Sequence, residues 1–303
     1  MDTVQSQTGK PVVGLVGLGA MGKGVALNLL RKGFAVVGFD VNPEALQWLE
    51  SEGGQTAPSL REGAGQVDIL VSFVVNDAQT EAVLFGPGGA LEGLKPEALV
   101  VTCSTMPPSY VQALGERLLA RGIGLVDAPV TGGQVGAHAG TLTIMAAGRP
   151  ADVARAKPVL EAFGKSVYVL GDQPGMGSQM KVINQLLCGV HLAAAGEALA
   201  LAKRCGLPLD TSLEILRSGS ASSWMLGDRG PRMVKGSFDD ITSAVNIFVK
   251  DLGLVVDAAR QSTFPAPIAN AAYLSFLSTA AKGWGLLDDS AVFKHYSQLN
   301  DAS

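Results

Sequence analysis

Residues 11–40 constrain the fold of this 303-residue chain more than any other stretch. The apolar run Pro11–Val16 leads directly into the sequence GLGAMG at residues 17–22. A helical pattern follows, and residues 34–40 read as a second strand that ends in Asp40. This order predicts the first β-α-β unit of a doubly wound α/β fold, because it consists of a strand, a glycine turn, a helix, a second strand and an acidic residue.

The glycine turn has the spacing GxGxxG, which is typical of dinucleotide-binding proteins when it lies between a strand and a helix. In such a turn Gly17 permits the sharp bend, Gly19 lets the backbone approach a pyrophosphate, and Gly22 lets helix and strand pack closely. Asp40, 18 residues after Gly22 (40 − 22), is placed to accept hydrogen bonds from the adenosine ribose. Its charge repels a 2′-phosphate and no arginine comes directly after it (Val41-Asn42-Pro43 instead), so the sequence favours NAD over NADP. The predicted cofactor-binding residues of this unit are Gly17, Leu18, Gly19, Ala20, Met21, Gly22 and Asp40.

Strand and helix signals continue to alternate up to Gly171. Apolar runs that precede polar or glycine-rich turns predict strands at Val67–Val75, Ala98–Cys103, Gly124–Val130 and Thr141–Ala147, with a helix at Ser109–Ala120. The alternation predicts a Rossmann-type, mostly parallel, doubly wound sheet. Ligands of such sheets bind beyond the carboxyl ends of the strands.

Three further turns are predicted to lie at that edge. Val75 ends one strand and Asn76 follows it. Thr105 follows the next strand, where it either contacts the nicotinamide side of a cofactor or is an ordinary turn residue. Thr131-Gly132-Gly133 follows a third strand. A hydroxyl beside two glycines forms either a nest of backbone amides for a carboxylate or a bend without a ligand.

From Pro174 onward the pattern is helical, and its most prominent segment is a long helix from Gly175 to about Cys205. Its alanines, leucines and valines predict a core helix that is apolar on most faces, and its interrupting polar residues argue against a membrane span. Lys181 and Asn184 lie three residues apart and therefore share a face near the start of the helix. The lysine either faces a cleft or extends its charged end to solvent, and the helix alone does not decide between the two.

Three segments are therefore predicted. Residues 1–10 form a disordered tail, and residues 11–173 form a NAD-binding Rossmann-like domain. Residues 174–303 form an all-helical domain for substrate binding and oligomerisation, which the long helix joins to the first. The apolar helices of this domain predict a homodimer or a homotetramer.

Composition narrows the classes of function. A net charge of −4 and the lack of a Lys/Arg run argue against nucleic-acid binding. The chain starts without a signal-like apolar stretch, and its three cysteines lack a paired spacing, so a cytoplasmic protein is expected. No metal site is predicted, because Asp288-Asp289 fits a turn or helix cap better. The run 136–140 is expected to be flexible, and its His138 receives no role, nor do His191 and His295.

Four motifs together resemble the β-hydroxyacid dehydrogenase family, which includes the 3-hydroxyisobutyrate dehydrogenases, across nearly all of residues 11–296. They are GLGAMG at 17–22, DAPVTGG at 127–133, GMGSQMKVINQ at 175–185 and KDLGL at 250–254. The resemblance implies that Lys181 is the catalytic residue and that Thr131, Gly132 and Gly133 hold the substrate carboxylate. It also implies that Asn184 contacts the substrate and that Thr105 and Lys250 approach the cofactor.

Two positions depart from the family pattern. Thr131 replaces the usual serine, a change that keeps the hydroxyl. Gln185 replaces the second asparagine of the usual Lys-x-x-Asn-Asn, which changes the expected substrate contacts.

The reaction that the resemblance implies is oxidation of the hydroxyl of a small hydroxy acid by hydride transfer to NAD, with Lys181 as general base and acid. Segments 75–86, 183–201, 223–229 and 248–260 are most similar to family members that act on L-threonate. The alternatives are oxidation of 3-hydroxyisobutyrate and reduction of glyoxylate or a semialdehyde with the same residues. A more remote alternative is a non-catalytic cofactor-binding module, which would be expected to lack the lysine at position 181.

Overall fold

The computed structural model describes residues 9–298. Residues 1–8 of the predicted tail and residues 299–303 of the predicted second domain lie outside the described residues. The chain divides into two compact units, of which the first ends at Lys181 and the second begins at Val182. The last strand ends at Gly171 and a long helix begins at Met176, so the predicted boundary between residues 173 and 174 lies in the connection before that helix and stays a prediction.

A nine-stranded sheet forms the centre of the first unit. Its strands are β1 Val13–Val16, β2 Val36–Phe39, β3 Gln55–Thr56, β4 Ile69–Ser72, β5 Leu99–Thr102, β6 Gly124–Asp127, β7 Val130–Thr131, β8 Leu142–Ala147 and β9 Gly164–Gly171. The run β3-β2-β1-β4-β5-β6 is parallel throughout, and the strand order reverses at β1, between β2 and β4. This reversal is the switch point at which doubly wound sheets bind ligands. The predicted Rossmann-type sheet is confirmed.

The predicted single strand Gly124–Val130 is wrong, because Ala128 and Pro129 divide it into β6 and β7. Proline has no backbone N–H to donate to a sheet. Both β6 and β7 pair antiparallel with β8, whereas β9 pairs in parallel along the whole of β8. A strand has only two edges, and β9 occupies one edge of β8. Therefore β6 and β7 both pair with the other edge of β8. The chain therefore continues along β8 after β6, and Thr131 lies beyond the carboxyl end of β6.

Helices cover both faces of the sheet, as a parallel sheet requires. In the first unit they are α1 Ala20–Arg31, α2 Pro43–Ser51, α3 Leu60–Ala64, α4 Asp77–Phe85, α5 Pro108–Leu119, α6 Gly133–Ala139, α7 Pro150–Phe163 and the beginning of α8 Met176–Arg204. Successive strand residues enter different core layers, with Ile69 and Val71 on one face of β4 and Leu70 on the other.

The expectation of a flexible run at residues 136–140 is wrong, because most of it belongs to helix α6. Asn28 of α1 donates from Nδ2 to the carbonyl oxygens of Ala137 at 2.8 Å and His138 at 3.2 Å. A Cβ on Gly24 of α1 would lie 2.6 Å from the carbonyl carbon of Ala137. The two helices thus meet backbone to backbone, and this contact orders the run.

The second unit is helical and has a core of its own. Its helices are the remainder of α8, α9 Leu209–Ser218, α10 Trp224–Lys235, α11 Val245–Gln261, α12 Pro267–Thr279 and α13 Val292–Ser297. Asp288 and Asp289 form ion pairs with Arg232 and Arg229, each at 2.8 Å. Asp288 also accepts a hydrogen bond from the backbone N–H of Ser290, so the predicted helix cap is confirmed for this residue.

Helix α8 is 29 residues long. Within residues 9–298 it is the one helix that is long and apolar enough to cross a membrane by length and composition alone, and half of its most apolar window is buried. Leu192 and Leu199 on one face are fully buried in the core of the second unit. On the opposite face Ile183, Leu187 and Leu201 are 51%, 50% and 61% exposed. The predicted core helix is therefore buried along one face only.

Candidate active site

The glycine turn between β1 and α1 bends sharply at Gly17, is closely packed at Gly22 and is open at Gly19. Gly17 has φ +89°, and a Cβ on Gly22 would lie 1.8 Å from the carbonyl oxygen of Gly17. A Cβ on Gly19, in contrast, would meet no atom within 4 Å. Leu18 is buried, whereas Gly19 and Ala20 are exposed. The turn is closed toward the protein and open at Gly19, so its backbone fits a pyrophosphate.

Asp40 follows β2 and interacts directly with this turn. Its Oδ2 accepts a hydrogen bond from the backbone N–H of Leu18 at 2.6 Å, and its Oδ1 accepts one from the N–H of Asn42 at 2.8 Å. A carboxylate oxygen has two lone pairs, so both oxygens can accept a further bond from a ribose hydroxyl. Val41, which follows, is fully exposed. The bond to Leu18, which the sequence did not indicate, fixes the carboxylate beside the glycine turn.

The turns after β4 and β5 contain three further residues predicted near the cofactor. Val75 is 47% exposed, and its N–H donates to Oε1 of Gln79. Asn76 caps helix α4, because its Oδ1 accepts from the N–H of Gln79 at 2.8 Å. Thr105 is half-buried in the turn after β5. For Asn76 the structure shows a helix cap, and its contact with a cofactor stays a prediction.

Thr131, Gly132 and Gly133 form the connection between β7 and α6. Gly132 has φ +126° and Gly133 has φ +62°, conformations that other residues rarely adopt. A Cβ on Gly133 would meet no atom within 4 Å. Two consecutive positive φ values after an extended threonine leave the backbone of this turn open on the Gly133 side.

Lys181 lies near the start of α8 and is only 7% exposed. It belongs to the first unit, together with the glycine turn and the turn at Thr131–Gly133. A lysine is seldom buried to this extent unless it interacts with polar groups. The structure therefore does not place it as an extended surface lysine, which was one of the two readings of the sequence.

Asp127, at the end of β6, is a site residue that sequence reasoning did not single out. Its Oδ2 accepts hydrogen bonds from the backbone N–H groups of Gly175 at 2.9 Å and Ser178 at 2.7 Å. Its Oδ1 accepts one from the hydroxyl of Ser178 at 2.8 Å. Burial raises the pKa of Asp127 to about 6, although the hydrogen bonds from Ser178 and Gly175 act in the opposite direction. Asp127 thus joins the carboxyl edge of the sheet to the start of α8.

A signal for this residue does exist in the sequence. Ser72, Thr102 and Asp127 end three neighbouring apolar strands, and they lie in register on one face of the sheet. All three are fully buried. Polar residues at the last positions of otherwise apolar strands indicate a buried polar row at the carboxyl edge.

The remaining predicted site residues belong to the second unit. Asn184 donates from Nδ2 to Sγ of Cys188 at 2.9 Å. Gln185 is buried, and its Nε2 donates to Oδ2 of Asp251 at 2.5 Å. Lys250 forms an ion pair with Oδ1 of Asp251 at 2.7 Å. Gln185 and Lys250 are thus linked through one buried carboxylate, a link between α8 and α11 that the sequence did not reveal.

A groove of about 400 Å³ lies at the opposite, amino end of β6. None of the predicted site residues lines it. Its lining residues are Gln112, Gly115, Glu116, Leu119, Ile123, Gly124, Leu125, Arg149, Asp152, Asp172, Gln173 and Pro174. Because doubly wound sheets bind their ligands at the carboxyl end, this groove is not the candidate site. In the described part of the chain no group of three or more His, Cys, Asp or Glu residues could hold a metal ion.

Two family models match the chain, one in each half. Residues 12–171 match the model described as the NAD binding domain of 6-phosphogluconate dehydrogenase. Residues 175–296 match the model described as NAD-binding of NADP-dependent 3-hydroxyisobutyrate dehydrogenase.

Relatives match over nearly the whole length. An L-threonate dehydrogenase of Cupriavidus necator is 45% identical over 282 residues, which are 93% of this chain and 95% of the relative. An L-threonate dehydrogenase of Escherichia coli strain K12 is 43% identical over 288 residues, 95% of each chain. The crystal structure of a 3-hydroxyisobutyrate dehydrogenase from Salmonella typhimurium has a TM-score of 0.89 and 46% identity, and the match covers 93% of this chain and 98% of that one.

Proposed function

Because the chain belongs to the 3-hydroxyisobutyrate dehydrogenase family of NAD-binding oxidoreductases, we propose that it oxidises L-threonate to 2-oxo-tetronate with NAD. The curated relatives that are 45% and 43% identical over nearly the full length are named for that substrate, which favours it over 3-hydroxyisobutyrate. Glyoxylate and semialdehyde reduction is not favoured by these relatives.

The observation that supports the proposal most directly is the placement of Lys181. Its side chain is 7% exposed, and it follows Ser178 by three residues on α8. Three residues of an α-helix rise about 4.5 Å. Ser178 is bonded to Asp127 at the carboxyl end of β6, the edge of the sheet at which the glycine turn also lies. A basic side chain is thereby held close to the edge at which a dinucleotide binds.

In the proposed reaction each group has a separate task. The backbone of Thr131–Gly133 holds the substrate carboxylate; Gly132 and Gly133 both have positive φ values, and a Cβ on Gly133 would meet no atom within 4 Å. Lys181, in its neutral form, accepts the proton of the reacting hydroxyl; the carbon–hydrogen bond then breaks and the carbonyl forms. The acceptor of the hydride would be supplied by bound NAD. In the reverse direction Lys181 returns the proton.

The residues around the glycine turn fit NAD. Gly19 leaves room for a pyrophosphate, and the carboxylate of Asp40 is fixed next to it by the N–H of Leu18. A 2′-phosphate would meet that negative charge without an arginine to balance it. NAD is therefore favoured over NADP.

The roles of Asn184 and Lys250 remain part of the proposal. Asn184 follows Lys181 by one turn on the same helix, which would let it orient the lysine or the substrate. Lys250 is held by Asp251, which in turn bonds to Gln185. We propose that Gln185 fixes Lys250 through Asp251, since its amide N–H already bonds to that carboxylate.

The direct test is a panel of substrates. NADH or NADPH formation would be measured by absorbance with L-threonate, D-threonate, 3-hydroxyisobutyrate and glycerate, each with NAD and with NADP. We expect kcat/KM to be highest for L-threonate with NAD. Glyoxylate and succinic semialdehyde with NADH would be measured in the reverse direction.

Two results would contradict the proposal in different ways. Turnover of another acid only would discard L-threonate and leave the assignment of Lys181 intact. If no substrate were turned over in either direction, hydroxy-acid oxidation itself would be contradicted.

We also infer that the protein self-associates through helix α8 and is cytoplasmic. The exposed face of α8 presents Ile183, Leu187 and Leu201 along a helix about 43 Å long. A two-fold axis brings such a face against itself in a second copy, so one apolar stripe buries another. Leu187→Glu should therefore dissociate the oligomer in sedimentation velocity, whereas Leu119→Glu on α5, at a residue of similar exposure, should not. If the two variants had the same oligomeric state in sedimentation velocity, an interface through α8 would be contradicted.

A further inference from the structure

We propose that Asp127 is a positioning residue for Lys181, because its carboxylate fixes the first turn of α8 to the carboxyl end of β6. The inference rests on the proposed function, in which Lys181 is the proton acceptor. It concerns a residue that touches neither substrate nor cofactor in that proposal.

The contacts of Asp127 are concentrated on the start of one helix. Both of its oxygens are used, by the N–H of Gly175, the N–H of Ser178 and the hydroxyl of Ser178, at 2.7 to 2.9 Å. Ser178 is 1% exposed and Asp127 is fully buried. All three donors lie within six residues before Lys181, so a shift of this turn moves the lysine directly.

The glycines of the same segment permit this close approach. A Cβ on Gly177 would lie 2.3 Å from the carbonyl oxygen of Met145 and 2.8 Å from that of Asp127. Gly175 has φ +100°, and a Cβ there would lie 2.6 Å from Cγ of Gln112. The turn is thus enclosed by β6, β8 and α5, and the carboxylate is its central hydrogen-bond acceptor. A packed turn of this kind has one position rather than several.

A carboxylate is needed at this point because three donors converge on it. An asparagine of the same shape has a single acceptor oxygen, and its NH₂ group would face an N–H or O–H donor. At least one buried donor would then lose its partner. Helix α8 would be expected to shift or to fray at its first turn.

The charge is retained at a cost in stability. Burial raises the pKa of Asp127 to about 6, so the ionised form is disfavoured by its surroundings and yet predominates at neutral pH. Perturbed groups of this kind are concentrated at functional sites. The Cys103 thiol faces the same region. Burial, and to a smaller extent the charge of Asp127, raises the pKa of Cys103, so this thiol stays neutral.

The test is a double-mutant cycle between Asp127 and Lys181 in the full-length enzyme. Steady-state rates with L-threonate and NAD would be measured for Asp127→Asn, Lys181→Ala and the double variant. A misplaced catalytic group costs between about tenfold and 100-fold. We expect such a fall in kcat for Asp127→Asn, with the KM for NAD changed less than about twofold. In the Lys181→Ala background the same substitution should change kcat by less than about twofold, because it acts through the lysine.

Two further variants distinguish an effect on the position of Lys181 from a general loss of stability. Ser178→Ala removes one of the three donors and should lower kcat less than Asp127→Asn, which keeps the test open if Asp127→Asn folds poorly. Asp152→Asn changes another buried aspartate of the first unit, one that pairs with Arg149 at 2.7 Å and lies at the start of α7. It should lower stability without lowering kcat.

Hydrogen exchange of the wild type and Asp127→Asn gives a result that is independent of substrate. Exchange at residues 175–181 should accelerate at least about tenfold in the variant. Unchanged exchange there would overturn the inference even if the enzyme acted on another acid. Accelerated exchange with unchanged kcat, or an equal fall of kcat in both backgrounds, would also overturn it. If the wild type oxidises no hydroxy acid, the proposed function fails and exchange alone decides whether Asp127 holds the turn.

Discussion

At the scale of single residues, the proposed choice of NAD over NADP depends on Asp40. Its carboxylate is fixed by the N–H groups of Leu18 and Asn42, so its charge remains next to the glycine turn. Asp40→Asn keeps an acceptor for Leu18 and removes the charge. We expect the ratio of kcat/KM for NAD to that for NADP to fall at least about tenfold, which corresponds to about 1.4 kcal/mol. An unchanged ratio in parallel assays with the two cofactors would remove Asp40 from the ribose site.

Site residues could be predicted from the sequence where they lie close together along the chain. The glycine turn and Asp40 are separated by one helix and one strand, and the spacing alone indicated their common role. Asp127 and Ser178 are 51 residues apart, and Gln185 and Asp251 are 66 apart. Their hydrogen bonds depend on how the strands and helices pack, and nothing local in the sequence marks them as pairs.

At the scale of helices and strands, the contact between α1 and α6 positions the turn at Thr131–Gly133. Gly24→Ala places a Cβ 2.6 Å from backbone atoms of Ala137 and His138. We expect a loss of about 1–3 kcal/mol in the free energy of unfolding, because the two backbones must separate.

Gly253 in the middle of α11 offers the matched control. A Cβ there would lie 3.9 Å from its nearest neighbour, an atom of Tyr273. Gly253→Ala should therefore raise the free energy of unfolding by up to about 1 kcal/mol, since it reduces the freedom of the unfolded chain. Urea unfolding of the two variants measures whether the free energy of unfolding falls for Gly24→Ala and rises for Gly253→Ala. Stabilisation by Gly24→Ala would contradict the close contact.

The order of elements was predictable because strands buried on both faces read as uninterrupted apolar runs. Their ends were not, since apolar residues such as Val67 and Val75 continue beyond β4 into the turns. The short helix α6 was missed because Gly136 and Gly140 disfavour helix, and the bonds from Asn28 that order it come from a distant part of the chain.

At the scale of the whole molecule, the free energy of unfolding should depend on pH through Asp127. Its pKa is about 6 in the folded chain and near 4 in an unfolded one. Between these values the native state binds more protons, so the stabilising contribution of this group is present below about pH 4 and lost as the pH rises through about 6.

The variant Asp127→Asn does not titrate and isolates this effect. Relative to it, the wild type should lose roughly 2–3 kcal/mol of unfolding free energy between about pH 4 and pH 6.5. The measurement is urea unfolding of both proteins at each pH. A difference that does not vary with pH would contradict a pKa raised by burial.

The chain is a NAD-binding oxidoreductase with a Rossmann-type first unit and a helical second unit, and its activity depends in this account on Lys181. The most direct test compares the turnover of L-threonate with NAD by the wild type, Lys181→Ala and Lys203→Ala. Lys203 is an exposed lysine in the last turns of the same helix and serves as the control. We expect Lys181→Ala to lower kcat by at least about 100-fold with NAD binding nearly unchanged, and Lys203→Ala to match the wild type. Near-normal turnover by Lys181→Ala would contradict the proposed role of Lys181.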